Sequence, residues 1–527
     1  MQVCDIEQPP QPQTGGPFAT RNAMALLAVC LAALMFGLEI SSVPVILPTL
    51  EVALHGDFGD MQWIMNAYTI ACAAVLMAAG TLADRYGRKR IFLCTIALFG
   101  VASLLCGLAW DMPVLIASRF LQGASGGAML ICLVAVLSHQ FPAGAERARA
   151  FGIWGIVFGI GLGFGPLIGG LIVAVSSWQW VFWAHVFIAA LTLGLAVVGV
   201  RESVDPHAGR LDLAGIVTLS LAVLGLVYFV TQGPEMGFGS VPALSVITAS
   251  AASFVLFLIV ETRAAHPMFD FSVFRVRNFS GALLGSVGMN FSFWPFIVYL
   301  PIYFQSALGQ GPAAAGVSLL AYTLPTLVFP PIGERLALRY QPGIVIPAGL
   351  LTIGLGFFLM LIGSHVQHAS WLTVLPGCLL AGAGLGITNT PVTNTTTGSV
   401  SSARAGMASG IDMSARMISL AINIALMGFV LVQGVLRHLQ TALDKPSDAA
   451  SLRALANSIA SGSLSSTDLG AGVSMSAEAL AVTGRAALVH GFSGIMLYSG
   501  IAVCVLAGIS FLIFPGRRAR APAGACD

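Results

Sequence analysis

Five ionisable side chains stand inside long apolar runs, and they are where this chain could do chemistry. They are Glu39 in FGLEISSVPVILP, Arg119 in LIASRFLQG, His185 in FWAHVFIA, and Asp412 with Arg416 in GIDMSARM. A charged side chain at the centre of a bilayer costs at least about 2.5–3.5 kcal/mol on insertion scales, so each of these positions needs a partner or a function. A carboxylate beside a cation and shut away from water suits reversible proton binding. The cation favours the ionised form and occlusion favours the neutral one, so a change of surroundings switches between them. Glu39 is the first choice for that role, with Arg119 facing it. Asp412 and Arg416 lie four residues apart, hence on one helical face; they either neutralise each other or supply a second coupling carboxylate. His185 reads as a hydrogen-bonded structural group rather than a proton relay.

The elements that must position these groups are membrane helices. Of 527 residues, 57% are hydrophobic and only 9% are charged. Apolar runs of about 20 residues, the length that spans a bilayer, repeat from Met24 almost to the C-terminus. The runs are continuous rather than alternating, which selects helices over a barrel. Spans are expected at 24–47, 62–83, 91–109, 113–137, 151–174, 180–200, 212–231, 243–262, 280–304, 313–333, 344–363, 371–391, 405–435 and 487–514, fourteen in all. The first run lacks an A-x-A-like cleavage site and reads as a retained span. With the N-terminus assigned to the cytoplasm, 18 of the 24 basic residues fall inside and four in one long outer loop; Arg119 and Arg416 lie within spans. That asymmetry places both termini in the cytoplasm. The seven cysteines within the spans (Cys30, Cys72, Cys94, Cys106, Cys132, Cys378, Cys504) show no CxxC spacing and read as small core residues, not a disulfide or metal framework.

A repeat organises the spans. Leu82-Ala83-Asp84-Arg85-Tyr86, between spans two and three, returns as Leu336-Ala337-Leu338-Arg339-Tyr340, between spans ten and eleven. The expected fold is therefore an all-α membrane protein of two six-helix bundles, 24–200 and 280–514, separated by a two-helix insertion at 212–262. Residues 1–23 and 515–527 are cytoplasmic tails, and 437–486 is a Ser- and Ala-rich external loop with room for a short amphipathic helix. A chain built from repeats is expected to hold its site at the interface between them.

Three signatures carry a resemblance: GTLADRYGRKR with Asp84, Arg85, Gly87 and Arg88; RFLQG with Arg119, Gln122 and Gly123; and GIGLGFGPLIGG with Gly161, Gly165, Pro166, Gly169 and Gly170. Together they resemble the hairpin, span-four and span-five motifs of the major facilitator superfamily, and more closely its fourteen-span drug:proton antiporters of the EmrB/QacA type. The resemblance implies the major facilitator fold, proton-coupled efflux and an antiporter motif in span five. FGLEISSVPVILP resembles the family's span-one motif, with Glu39 for its Asp, Ser41 for its Thr and Pro44 for its Asn. His185 stands where the family usually shows Asn.

Each motif also has a physical reading. Asp84 at the end of span two can cap the positive end of a neighbouring helix, which is worth roughly 0.3–1 kcal/mol and up to about 2 when partly buried. Arg85 and Arg88 can extend that contact into a cytoplasmic gate, with Gly87 making the turn. The second copy carries Leu338 in place of the carboxylate, so the first half is expected to do most of the gating. Eight glycines between Gly152 and Gly170 let helix backbones approach closely; the resemblance adds that the two halves rock on this face. The aromatic run Phe291, Phe293, Trp294, Phe296, Tyr299, Tyr303 and Phe304 reads either as lipid-facing or as the wall of an apolar cavity. In the second case Tyr68, Gln122, Asn290, Trp294 and Tyr299 are the expected substrate contacts.

Two lysines and no GK dipeptide leave no Walker A loop, and neither a catalytic triad nor a metal-ligand cluster stands out. The basic residues are dispersed without aromatic interleaving, which argues against nucleic acid as a partner. The reading is a non-enzymatic multi-pass transporter of the cytoplasmic (inner) membrane, needing no cofactor, that exports lipophilic, often cationic, compounds in exchange for protons. An accessory periplasmic adaptor is left open as a partner. The alternatives are an exporter dedicated to one metabolite or antibiotic, and a non-transporting membrane sensor.

Overall fold

A computed structural model describes residues 17–141, 145–204, 212–263, 271–366, 369–400, 405–442, 449–462 and 477–514. The α-helices are α1 (Pro17–Leu54), α2 (Phe58–Tyr86), α3 (Arg88–Gly107), α4 (Met112–Gln140), α5 (Ala145–Val175), α6 (Gln179–Gly199), α7 (Leu213–Met236), α8 (Val241–Arg263), α9 (Arg277–Asn290), α10 (Phe293–Ile302), α11 (Pro312–Thr323), α12 (Pro325–Val328), α13 (Pro330–Tyr340), α14 (Pro342–Ser364), α15 (Trp371–Gly398), α16 (Ala405–Ala442), α17 (Ala449–Ser461) and α18 (Ala477–Ile513). Among the described residues, 12 helices are long and apolar enough to cross a membrane, or 13 if Pro312–Val328 and Pro330–Tyr340, bent by 42°, form one span. The remaining expected span coincides with α2, which is 29 residues long.

Local chemistry sets the helix ends. Asp57 and Asp60 form a reciprocal capping box at the start of α2, with bonds of 2.8 and 3.1 Å. Asp111 accepts from Val114 N at 2.9 Å to start α4, and Asp212 accepts from Gly215 N at 2.9 Å to start α7. The duplicated turn is visible in the backbone: Gly87 has φ 111° and the residue at the matching place, Gln341, has φ 74°. Both N–H groups close the preceding helix, onto Ala83 O at 3.1 Å and Ala337 O at 3.0 Å. Glycine takes this conformation freely, whereas a side chain there costs on the order of 1–3 kcal/mol. The second copy therefore keeps the turn at an energetic cost.

Helices α1 to α6 pack on one another, chiefly through α1 with α5 and α6, and α4 with α2 and α3. A second group forms around α14, α15 and α18, with α9, α13 and α16 against them. The pair α7 and α8 packs against α2 and α16 and leaves Val217, Leu221, Phe254 and Val255 exposed, as expected of a surface facing lipid. The two groups meet through α5 on α11 and α12, α2 on α16, and α1 on α10.

Helix α5 carries glycines on two faces. A Cβ on Gly161 would lie 2.9 Å from Leu34 O and one on Gly169 2.8 Å from Ser42 O, so this face fits α1 within its own group. Gly170 would meet Pro312 O at 2.4 Å, and Gly316 would meet Pro166 O at 2.6 Å, so the other face fits α11. Thr323 Oγ1 donates to Gly163 O at 2.7 Å across the same seam. Towards the start of α5 the seam ends: a Cβ on Gly155 or Gly152 would meet nothing within 4 Å.

The expected ninth span is broken. Helix α9 ends at Asn290 and α10 begins at Phe293, followed by a π-helical turn, Tyr303–Ala307. Its aromatic run is not lipid-facing, which corrects one of the two readings above: Phe293, Phe296, Tyr299, Tyr303 and Phe304 are all buried, in one cluster with Val43, Ile46, Leu47 and Leu50 of α1. Phe293 stacks on Tyr322 with centroids 4.0 Å apart and planes at 3°. A continuous seam between the two groups thus exists at the end where α1 reaches Leu54. There, Gln305 Nε2 also donates to Val45 O at 2.9 Å.

Candidate proton site and its counterpart

Glu39, on α1, is fully buried. Arg119, on α4, is also fully buried, and its Nη1 donates to Glu39 Oε1 in a very short contact. The same nitrogen donates to Gln122 Oε1 at 2.6 Å, and Arg119 Nε donates to Ile64 O at 3.1 Å. Gln122 is fixed in turn by Nε2 on Ser103 Oγ at 2.9 Å, and the Arg119 guanidinium lies 4.5 Å over the Tyr68 ring. The spacing in RFLQG now has a cause. Arg119 and Gln122 stand one turn apart on the same face, and Gly123, whose Cβ would lie 2.2 Å from Tyr68 O, lets α2 come close enough for its carbonyl to receive the guanidinium.

His185, on α6, completes the cluster. Its Nδ1 lies 2.9 Å from Val181 O and its Nε2 lies 3.5 Å from Glu39 Oε2. Its ring meets Phe99 edge-on at 5.9 Å between centroids. Four buried polar atoms here have no hydrogen-bond partner among the described residues: Glu39 Oε2, Tyr68 Oη, Arg119 Nη2 and His185 Nε2. His185 is expected as a separate, structural group. Nothing in spacing brings α6 to α1, and a histidine within an apolar run was the only signal.

The second charged cluster joins α9, α15 and α16. Arg416 Nε donates to Asp412 Oδ2 at 3.1 Å, Nη1 to Asn389 Oδ1 at 2.5 Å and Nη2 to Thr393 Oγ1 at 3.0 Å. Ser286 Oγ donates to Asp412 Oδ1 in a very short contact. Both carboxylate oxygens and all three guanidinium nitrogens are therefore engaged. Ser286, Asn389 and Thr393 carried no sequence signal, because small polar residues in apolar helices are common.

The expected substrate contacts fall in different places. Tyr68 and Gln122 belong to the Glu39 cluster. Asn290 Nδ2 donates to Ser286 O at 2.9 Å, beside the Asp412 cluster. Tyr299 is buried, with its hydroxyl on Ile424 O and its ring 6.2 Å from that of Phe58. Trp294 is half-buried against Phe293. A groove of about 940 Å³ between α14, α16 and α18, lined by His365, Phe429, Arg437 and His490, includes none of these residues.

In the expected gate, the side chain of Asp84 lies outside the described residues, and Arg85 is exposed. The hairpin is tied to its own group: Arg88 N donates to Ser203 O at 2.9 Å, Lys89 N to Glu202 Oε1 at 3.1 Å, and Lys89 Nζ to Val197 O at 2.6 Å.

Comparison with known proteins agrees with this architecture. The family model described as Major Facilitator Superfamily matches residues 29–424. The chain is 33% identical over 422 residues to the multidrug resistance protein Stp of Mycobacterium tuberculosis, covering 80% of this chain and 78% of that protein. It is 32% identical to the tetracenomycin C resistance and export protein of Streptomyces glaucescens, covering 78% and 76%. Among solved structures, a bacterial homolog of the human lysosomal transporter Spinster, in an inward-facing and unoccupied conformation, aligns with a TM-score of 0.58 at 16% identity, covering 95% of this chain and 98% of that one. A POT family transporter aligns with a TM-score of 0.61 at 15% identity, covering 92% and 94%.

Proposed function

Because the chain belongs to the Major Facilitator Superfamily, we propose that it is a multidrug efflux transporter that exports lipophilic, often cationic, compounds in exchange for protons by alternating access. The names of its relatives support the drug and antibiotic class. The observation that carries proton coupling is Glu39, a carboxylate with no exposed surface, held by Arg119 inside predominantly apolar helices. On this reading α1–α6 and α9–α18 are two bundles that rock about the α5–α11 seam, with α7 and α8 inserted between them and α2 as a further span. The inner membrane, cytoplasmic termini and an adaptor for export beyond the membrane belong to the same proposal.

The end at which α1 reaches Leu54 is then the outer end, and the structure stands closed there. Asp84 is the gating carboxylate of the opposite side, used when that side closes. Asp84→Asn shifts the resting population towards the cytoplasm-open state. Cysteine accessibility measured on both faces checks this, and an unchanged pattern with unchanged transport counts against the gate.

The decisive test of coupling uses inverted vesicles and tetraphenylphosphonium as the probe. An imposed pH gradient drives its accumulation by the wild type, while Glu39→Gln falls to the background of empty vesicles. Full gradient-driven transport by Glu39→Gln overturns the assignment. A narrower reading has its own support, since the tetracenomycin C relative is named for a single antibiotic. A panel of unrelated dyes and drugs separates the two.

A further inference from the structure

The Glu39–His185 contact has a feature that the ion pair with Arg119 does not explain. A carbonyl oxygen only accepts hydrogen bonds, so the 2.9 Å contact between His185 Nδ1 and Val181 O fixes a proton on Nδ1. A neutral His185 then presents the lone pair of Nε2, and that atom points at Glu39 Oε2, 3.5 Å away. Two acceptors face each other inside the protein, and neither has another hydrogen-bond partner. Facing lone pairs repel and leave both atoms desolvated, so each is an unsatisfied buried group. One proton placed between them removes both penalties at once. It bonds to Oε2 and is accepted by Nε2, or bonds to Nε2 and is accepted by Oε2.

We propose that Glu39 and His185 share a single exchangeable proton, so that the proton-binding unit of this protein is a carboxylate–imidazole pair rather than a lone carboxylate. This rests on the reading that Glu39 is the coupling carboxylate, and deepens it. The two oxygens of Glu39 have separate duties: Oε1 is held by Arg119, and Oε2 carries the exchange. Taking up one proton from water changes the net charge of the Glu39–Arg119–His185 cluster from 0 to +1 and draws Oε2 and Nε2 from 3.5 Å towards the 2.7–2.9 Å of a charge-assisted bond. Other titratable groups face the pair: Arg119 from α4, Tyr68 from α2 and Cys106 from α3. Helix α5 presents Gly161 and Gly165 to this part of α1 and adds no charge there. Glu39 and His185 both belong to the first group of helices, so rocking carries them together. Their separation is preserved while their access to water changes.

The test is an infrared pH titration of the full-length protein in lipid vesicles, which needs no substrate. Bands missing from Glu39→Gln identify the carboxyl step, and bands missing from His185→Gln identify the imidazole. The expected result is that both move together in one step of the wild type. In His185→Gln and in His185→Leu the Glu39 step moves to lower pH by at least about one unit, a tenfold loss of proton affinity. The sign is the same for both variants: Gln donates to the ionised carboxylate, and Leu removes the acceptor that the protonated form uses. A Glu39 step at the same pH in wild type and both variants overturns the shared proton, as does an imidazole step at its own separate pH. A joint step in a protein that shows no proton-driven transport keeps the pair and removes the coupling reading, so the two failures are distinguishable.

Discussion

The two buried ion pairs look alike in the sequence and differ in the structure. Each places a carboxylate and an arginine in apolar helices, and each was a candidate for proton coupling. Asp412 and Arg416 sit on one helix, and every polar atom of the pair is bonded: Arg416 Nε and Asp412 Oδ2 to each other, and the remaining three to Ser286 on α9 and to Asn389 and Thr393 on α15. Glu39 and Arg119 come from two helices and leave Glu39 Oε2 and Arg119 Nη2 without hydrogen bonds. A satisfied polar network resists change and favours a single arrangement, whereas an incomplete one has a state to gain by taking up a proton. On the proposed reading, Asp412 and Arg416 join helices, and Glu39 with Arg119 serves exchange.

The comparison breaks most visibly in proton-driven transport. Glu39→Gln loses it entirely, while Asp412→Asn keeps its bond to Ser286 and lowers the rate by no more than about tenfold, or 1.4 kcal/mol; equal losses measured in inverted vesicles would place both carboxylates in the coupling path. Stability gives the next largest effect. Arg119→Met leaves a fully buried carboxylate without its cation and costs about 3–5 kcal/mol, read as a lowered unfolding midpoint in detergent. Arg416→Met costs less, because Asp412 keeps Ser286. Removing that serine sharpens the point: Ser286→Ala forfeits one hydrogen bond to a charged group, about 1.5–3 kcal/mol, with transport retained in whatever protein folds. The smallest effect concerns substrate charge. Arg416→Gln frees Asp412 and raises the ratio of dication to monocation export by about threefold, on the order of 0.6 kcal/mol, while Asp412→Asn does not. An identical ratio in wild type and both variants would show that this pair never meets the substrate.

Much of the fold was legible because it is written in local properties. Apolar run length placed the helices, although the ends were drawn short: α1 continues past residue 47 to Leu54, and α18 starts at Ala477 rather than 487. In both cases the extra turns lie beyond the strongest hydrophobicity, and those of α1 still pack, with Leu50 and Leu54 in the apolar cluster. The break after Asn290 carried no such mark, because Phe291 and Ser292 are no worse in a membrane helix than their neighbours. The site was legible by halves. Rarity of charge pointed to Glu39, Arg119, Asp412 and Arg416, since burying a charge is expensive wherever it occurs. Which neutral residues complete each cluster depends on how helices distant in sequence meet. The contact of His185 on α6 with Glu39, and the part played by Ser286 on α9, were therefore beyond reach, and Tyr68, Gln122 and Tyr299, the expected substrate contacts, are buried among packed helices.

Helix α17 bears on how the molecule is made. This 13-residue helix, in the segment 437–486 expected as an external loop with room for a short amphipathic helix, buries Leu452, Leu455, Ala456 and Ile459 against α16, α18 and α2, and Arg453 reaches Pro234 O at the end of α7. Ribosomes deliver it after α1 to α16 have emerged. Until then the surfaces it covers on α16 and α2 have no partner from this part of the chain. The nascent protein thus passes through a stage in which one end of the bundle is uncovered and α18, which packs on α14 and α16, has yet to be added. A chain that stops before α17 is exposed there to proteases and to sticking, so the final stretch of synthesis decides whether the rest survives.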